Sequence, residues 1–414
     1  MTTGIPKAIL IIGDGLGDRP VKELGGKTPL EAATKPNIDK LAAEGECGLM
    51  DPIAAGVRAG SDTSHLAILG YDPYTCYTGR GPFEAAGIGM DVKQGDISFR
   101  CNFSTVDPDM TITDRRAGRI TEGTDQLAAA VTGMQIEDVT VIFKESVAHR
   151  GALVLRGPGL GPLVSDADPH EEGAKVHQSV ALEPGDATAS KTARIINEFV
   201  KKSYELLKDH PVNLKRKEQG LNPANIILPR GSGLAPDLKN FDERYGVKSA
   251  CVAETGLIMG VAKYVGMEIV HVPGATGGMD SDVIAIGEAI LKTLETHNFI
   301  LCNVKGGDVA GHDGQPDAKI GLIEKLDKMI DLLLRKVDAN THIVLTADHS
   351  TPVTYMDHTG DPVPIAFWGP SVRTDDCKSF GERPVSHGGV GRVRGTDVMN
   401  MITNLMGVQE KFGA

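Results

Sequence analysis

Three aspartates in this 414-residue chain stand just after apolar runs: Asp14 after ILIIG, Asp308 after ILCNVKGG and Asp348 after IVLTA. Histidines accompany them, with His312 four residues beyond Asp308, His349 beside Asp348 and His387 in the loop SHGGVGR. In a parallel sheet all strand carboxyl ends share one edge, and ligand sites form there. Three carboxylates gathered on that edge repel one another and carry raised pKa values unless cations neutralise them. Asp308 and His312, at i and i+4, fall on one face of a helical turn and can grip the same ion. Aspartate and histidine together are the ligand types of zinc, manganese or magnesium sites. Any one of these residues alone reads as a turn aspartate or a satisfied histidine. The joint arrangement points to metal, and to two ions rather than one.

A metal site needs a reaction, and AGSDTSH (59–65) offers a nucleophile in Ser61. A serine hydroxyl is weak until a base or a metal lowers its pKa. Ser61, Asp62, Thr63 and Ser64 also suit a helix N-cap. The two readings are compatible, because a helix N-terminus stabilises a phosphate attached there. Two nucleotide readings fail. Gly13-Asp14-Gly15-Leu16-Gly17 has the spacing G-x-G-x-G rather than G-x-G-x-x-G, and it puts a carboxylate where a pyrophosphate would sit. The Gly26-Lys27-Thr28 triplet lacks the earlier glycine of a phosphate-binding loop, since position 21 is valine.

The elements that must position these groups alternate between strands and helices, which predicts a mostly parallel, helix-flanked sheet. Strands are predicted over Lys7–Ile12, Phe299–Val304, His342–Leu345 and Pro364–Trp368. Apolar spacing predicts helices over Lys27–Gly45, after the Thr28-Pro29 start signal, and over Ala318–Val337. The middle of the chain differs, with Arg/Gly-rich turns DRRAGR (114–119) and HRGALVLRGPG (149–159) and a charged helical stretch over 189–210. The acidic strand-end motifs lie on both sides of this region and not within it. The chain is therefore expected to form a discontinuous metal-binding core, 1–78 with 241–414, and an inserted substrate-capping α/β domain, 79–240.

Composition narrows the partners. An apolar share of 41% with 24% charged residues is that of a globular protein, and no apolar run is long enough to span a bilayer. A net charge of −12 argues against nucleic acid and anionic membranes. Six scattered cysteines with no C-x-x-C pair suit a reducing cytosol, so a cytoplasmic location is expected. A homo-oligomer stays open.

The segments IIGDG (11–15), GSDTSH (60–65), GGDVAGHDG (306–314), TADHS (346–350) and SHGG (386–389) resemble the metal-binding signature of the alkaline phosphatase superfamily. Within it the chain resembles the cofactor-independent (2,3-bisphosphoglycerate-independent) phosphoglycerate mutases of the archaeal type. GDISFRCNFSTV, SDADPH and KDHPVN extend that resemblance through the insert. The resemblance implies interconversion of 2-phosphoglycerate and 3-phosphoglycerate, in glycolysis and gluconeogenesis, through a phosphoserine at Ser61. It implies one divalent ion on Asp14, Ser61, Asp348 and His349, and a second on Asp308, His312 and His387. Manganese, zinc, cobalt or magnesium would serve, with no organic cofactor and no 2,3-bisphosphoglycerate. Substrate contacts are sought among Arg115, Arg116, Arg150 and Arg230, with Asp168 and His170 as candidates for the glycerate proton. Other superfamily enzymes, a phosphohydrolase or a phosphopentomutase, would share the metal core. A purely metal-binding protein would have no use for Ser61.

Overall fold

The computed structural model describes residues 6–413. The chain divides into two compact units, one formed by residues up to Tyr77 together with those from Leu238 onward, the other by Thr78–Asp237. Among the described residues no helix is long and apolar enough to cross a membrane.

The first unit is built on an eight-stranded sheet: β1 (Lys7–Gly13), β2 (Glu46–Asp51), β3 (Ser249–Ala253), β4 (Glu268–Val270), β5 (Phe299–Val304), β6 (Thr341–Thr346), β7 (Val363–Trp368) and β8 (Gly391–Arg394). Their spatial order is β4-β3-β5-β1-β6-β7-β2-β8. Only the two pairs that involve β7 are antiparallel; the others are parallel. The run AILIIG of β1 is fully buried, as befits a central strand covered by helices on both faces. β1 pairs with β5 (Ile12 opposite Asn303) and with β6 (Ile12 opposite Thr346). That register ends the three strands side by side. Asp14, Asp308 and Asp348 therefore leave the sheet at one edge, so a mostly parallel α/β core is the architecture of this unit.

Two helical expectations meet the structure differently. Pro316–Lys336 is a continuous helix whose buried side carries Leu322, Ile323, Leu326, Ile330 and Leu333. The predicted helix over 27–45 is instead two, Pro29–Ala32 and Pro36–Ala43. Thr28 and Glu31 close a reciprocal capping box on the first, and Ala33 is already extended at ψ 146°. Pro36 has no N–H to give and excludes a helical conformation for Lys35, so the apolar periodicity runs across a break.

The second unit carries a six-stranded sheet whose pairs are all antiparallel. The Ile97–Val106 strand lies between Arg150–Arg156 and Ile226–Leu234. Helix Ala187–Leu207 buries Ile195, Ile196, Phe199 and Val200 in a core with Phe103, Leu153 and Ile227.

Candidate functional site

In the first unit, Gly60 caps the helix Ser61–Ile68 and Ser61 is its first residue. Thr63 Oγ1 accepts the Gly60 N–H and donates to the Gly60 carbonyl, and Ser64 Oγ also donates to that carbonyl. Capping therefore falls to Gly60 and Thr63, and the Ser61 hydroxyl points elsewhere, with Oγ 3.1 Å from His349 Nε2. Asp14 and Asp348 are fully buried beside it. Asp348 Oδ1 accepts the Gly15 N–H at 2.9 Å. Gly15 has φ +62°, and a Cβ there would lie 2.6 Å from the Asp308 Cα. No larger residue lets the two strand-end loops approach so closely.

Proton positions follow from the network. Thr351 Oγ1 donates its one proton to Asp308 Oδ1 (3.0 Å), so its contact with His349 Nδ1 (3.0 Å) is one that it accepts. His349 is then protonated on Nδ1 and presents an Nε2 lone pair. Burial, reinforced by His358, pushes its pKa down to about 3, so the ring is neutral and its approaches to carboxylates are not ion pairs. That lone pair lies 3.2 Å from Asp348 Oδ2 and 3.8 Å from Asp14 Oδ1. Asp348 Oδ2 is buried with no hydrogen-bond partner. Ligand atoms of Asp14, Asp348 and His349 lie within 4.8 Å of one another. The unpartnered Asp348 Oδ2 facing the His349 lone pair, out of water, is unfavourable alone and is what a cation would satisfy.

A second convergence centres on Asp308, whose Oδ1 is 3.4 Å from His312 Nε2 and 3.3 Å from His358 Nε2. The Nδ1 of His312 faces the Met356 carbonyl (3.0 Å), and that of His358 faces the Ala59 carbonyl (2.8 Å). Anchoring one ring nitrogen on a carbonyl aims the other, as metal-ligating histidines require. His358 stacks on His349 with centroids 3.6 Å apart, and Asp308, His349 and His358 form another group able to hold an ion.

His387 does not join them. It is exposed, at the end of the turn Pro384–His387, and the following Gly388 packs on the Cys47 carbonyl at the start of β2. That is the start of β2, two strands over from β6 and level with its Leu345, and not the adjoining ends of β5, β1 and β6 that carry the aspartates. His358 occupies the place assigned to His387. The signal was present in DHTGD (357–361), ten residues past Asp348, but no strand end or helical spacing marked it.

Sequence reasoning also missed Lys305, whose Nζ is 2.8 Å from Asp14 Oδ1 and 2.6 Å from Asp308 Oδ2. Burial and then the Asp348 charge push Asp14 up. Burial pushes Asp308 the same way, but bonds from His312 and His358 and the Lys305 charge hold it well below the carboxylate range. The expected rise thus holds for Asp14 and fails for Asp308, where the bonds from His312 and His358, with Lys305, outweigh burial. Lys319, fully buried, ties the loops together by donating to the Gly17 carbonyl, Asp18 and the Thr351 carbonyl.

The second unit holds the reverse arrangement. Arg115 donates to both oxygens of Asp168 (Nη2 to Oδ2, 2.9 Å), and Arg230 Nη1 is 3.0 Å from His170 Nδ1. Burial opposes the charge of Asp168, yet Arg115 and the His170 N–H hold it ionised. Arg150 belongs to a neighbouring set with Arg80, Arg100 and Glu84, where burial and the other guanidiniums lower its pKa. Burial and then Arg80 push Arg100 down to about 9. The charges of Arg116 and Arg150 bear on His149, which burial above all pushes down to about 4. The Nε atoms of Arg100 and Arg230 are buried without hydrogen-bond partners. All six insert residues singled out in the sequence therefore belong to one basic neighbourhood. Arg80 and Arg100 extend it, and TGRGPFE and SFRCN carried no local mark of that role.

A carboxylate-and-histidine pocket beside a helix-start serine, on the carboxyl edge of a parallel sheet, defines a metal-assisted phosphoryl-transfer class of α/β protein. The sequence profile described as 2,3-bisphosphoglycerate-independent phosphoglycerate mutase matches residues 42–213. A curated relative of that name from Methanothermobacter thermautotrophicus is 56% identical over 99% of this chain and 100% of its own. Among solved structures, a Pyrococcus horikoshii protein is 41% identical with a TM-score of 0.86, covering 99% of each chain. The cofactor-independent phosphoglycerate mutase of Thermoplasma acidophilum is 35% identical with a TM-score of 0.70, covering 97% of this chain and 100% of that one. The chain belongs to the 2,3-bisphosphoglycerate-independent phosphoglycerate mutase family, and its activity is the interconversion of 2-phosphoglycerate and 3-phosphoglycerate.

Proposed function

We propose that this interconversion runs through a phosphoserine at Ser61, with one divalent ion held by Asp14, Ser61, Asp348 and His349 and a second by Asp308, His312 and His358. The observation that supports it most is the convergence of ligand atoms of Asp14, Asp348 and His349 beside the Ser61 hydroxyl, with Asp348 Oδ2 buried and unpartnered. These oxygen and nitrogen donors suit manganese, cobalt, zinc or magnesium. Bound cations would neutralise the carboxylates and stabilise charge on the phosphoryl oxygens.

The chain's own groups do the rest. Ser61 Oγ forms an O–P bond as the glycerate O–P bond breaks, and the serine proton ends on the released glycerate hydroxyl. In the second half the other hydroxyl takes the phosphoryl group and serine regains a proton, so no phosphate is lost. The dipole of helix Ser61–Ile68 favours the phosphate on its first residue. Arg115, Arg116, Arg150 and Arg230, with Arg80 and Arg100, supply fork-shaped donors for the phosphate and carboxylate of phosphoglycerate. Asp168, held ionised, suits exchange of the glycerate proton, with His170 oriented by Arg230.

A coupled assay from 3-phosphoglycerate to 2-phosphoglycerate, run after chelation and after metal return, tests this. Activity should vanish on chelation and come back with added ion, with little free phosphate released throughout. Full turnover in metal-free protein would overturn the two-ion reading, and phosphate release matching isomerisation would favour a phosphohydrolase.

A further inference from the structure

Among the described residues of the first unit, another group of soft and hard ligands lies on the same sheet, two strands over from β6. Cys47 is the second residue of β2 and is fully buried. The 375–377 loop is fastened against it: the Asp375 N–H donates to the Gly45 carbonyl (3.1 Å). Asp375 Oδ2 accepts the N–H groups of Cys47 (2.7 Å) and Gly389 (2.8 Å). Cys377 is 6% exposed, and its N–H goes to Asp375 Oδ1 at 2.9 Å, which leaves that oxygen lone-pair capacity. The two sulfurs and the carboxylate lie within 4.8 Å of one another. The thiols face carbonyl oxygens, Cys47 that of Ala42 and Cys377 that of Pro384, both at 3.6 Å, and they also bond to each other and, for Cys377, to Asp375.

We propose that Cys47, Cys377 and Asp375 form a site for a borderline-soft divalent cation of the zinc type, separate from the aspartate-histidine cluster, with solvent as fourth ligand. Two thiolates on tetrahedral zinc lie about 3.8 Å apart, given Zn–S bonds of about 2.3 Å, so a group already within 4.8 Å needs a contraction of at most about 1 Å. Asp375 is partly exposed, which opens the fourth position to water. Sulfur donors select zinc or cobalt over magnesium and manganese, so the two sites differ in the ion they prefer. On binding, each thiol releases its proton to solvent, two protons per ion, and the dianionic thiolate pair is neutralised by the cation. The bound ion clips the start of β2 to the segment that follows β7.

Cobalt reads this site alone, since only sulfur ligands give thiolate-to-metal charge transfer and the aspartate-histidine cluster contains none. The full-length protein, freed of metal by chelation under reducing conditions, is titrated with Co(II). A near-ultraviolet charge-transfer band should grow and saturate at one sulfur-bound ion per chain, and added zinc should bleach it. Cys47→Ala and Cys377→Ser should each abolish the band, while Asp308→Ala should keep it. A second measurement needs no variant: zinc should slow alkylation of Cys47 and Cys377 in wild-type protein at least about tenfold, read by peptide mass spectrometry, relative to magnesium. Absence of the band in wild type, its survival in both cysteine variants, or equal alkylation with zinc and magnesium would each overturn the proposal.

Discussion

In the first unit Asp14, Asp308 and Asp348 crowd the end of three adjacent strands with Lys305 as their cation, whereas in the second unit Arg80, Arg100, Arg115, Arg150 and Arg230 gather around Glu84 and Asp168. Carboxylates outnumber the cation in the first region, and guanidiniums outnumber the carboxylates in the second. Each carries orphaned buried atoms of the matching sign, Asp348 Oδ2 in one and the Nε of Arg100 and Arg230 in the other. Isolated buried charge destabilises a fold. Two such regions of opposite sign are what the proposed binding of cations in one and of an anionic substrate in the other calls for. The overall charge of −12 hides this, because the basic cluster is local.

The largest effect should come from the group that only chemistry needs. Ser61→Ala should lower kcat by ~10⁴-fold or more with metal uptake in the first unit largely kept, while Ser64→Ala, whose hydroxyl only bonds the Gly60 and Ser61 carbonyls, keeps turnover. Quantified metal and steady-state rates on both variants check this, and a dead Ser64→Ala beside an active Ser61→Ala would misplace the nucleophile.

Lys305→Met probes the anionic side. Losing the cation leaves Asp14 and Asp308 uncompensated, so the metal-free variant should be less stable by about 3–5 kcal/mol. Saturating manganese should recover much of that loss. Denaturant melts with and without the ion decide, and an unchanged metal-free stability would show that Lys305 does not balance these carboxylates.

Arg230→Met probes the cationic side, where the opposite outcome is expected for stability. Removing one guanidinium relieves crowding, so the melting temperature should hold or rise. The loss of a donor to phosphate or carboxylate should lower kcat/KM by about 10²-fold. A variant both unstable and fully active would invert the comparison.

The smallest effects are of pH, and the two units should respond with opposite sign. Burial pushes Glu382 of the first unit up to about 7 from its ordinary 4.5. The folded state then holds an extra proton between these values, and the stability this gives is lost as pH rises through about 7. Burial pushes His149 of the second unit down to about 4 from 6.5. The unfolded state then holds the extra proton, and stability is lost as pH falls from 6.5 toward 4. Glu382→Gln should therefore stabilise at pH 8 relative to pH 5, and His149→Gln at pH 5 relative to pH 8. Each effect should be about 1–2 kcal/mol after allowance for partial solvent access. Matched melts at the two pH values would expose a shared sign.

Asp14, Asp308, Asp348 and His349 were legible in the sequence because buried parallel strands are marked by apolar runs, and the sheet aligns their carboxyl ends whatever lies between them. His312 was legible for a local reason, the four-residue spacing that one helical turn makes into a face. Ser61 was visible as a polar turn before an apolar run, although only the structure separated its role from capping, by giving that role to Gly60 and Thr63. The α/β core, the family and the run of basic turns in the middle of the chain followed from the same patterns.

Tertiary structure alone decided between His358 and His387, since both lie in loops and no period connects a loop residue to a strand end. It alone brought Lys305 between two aspartates 294 positions apart in the chain (Asp14 and Asp308), and it set Arg100 beside Arg80 and Arg150. It also broke one amphipathic run at Pro36, where a missing N–H outweighs apolar spacing. Short-range patterning is written in side-chain periodicity, but the meeting of distant loops depends on the register of the whole sheet, which no local stretch encodes.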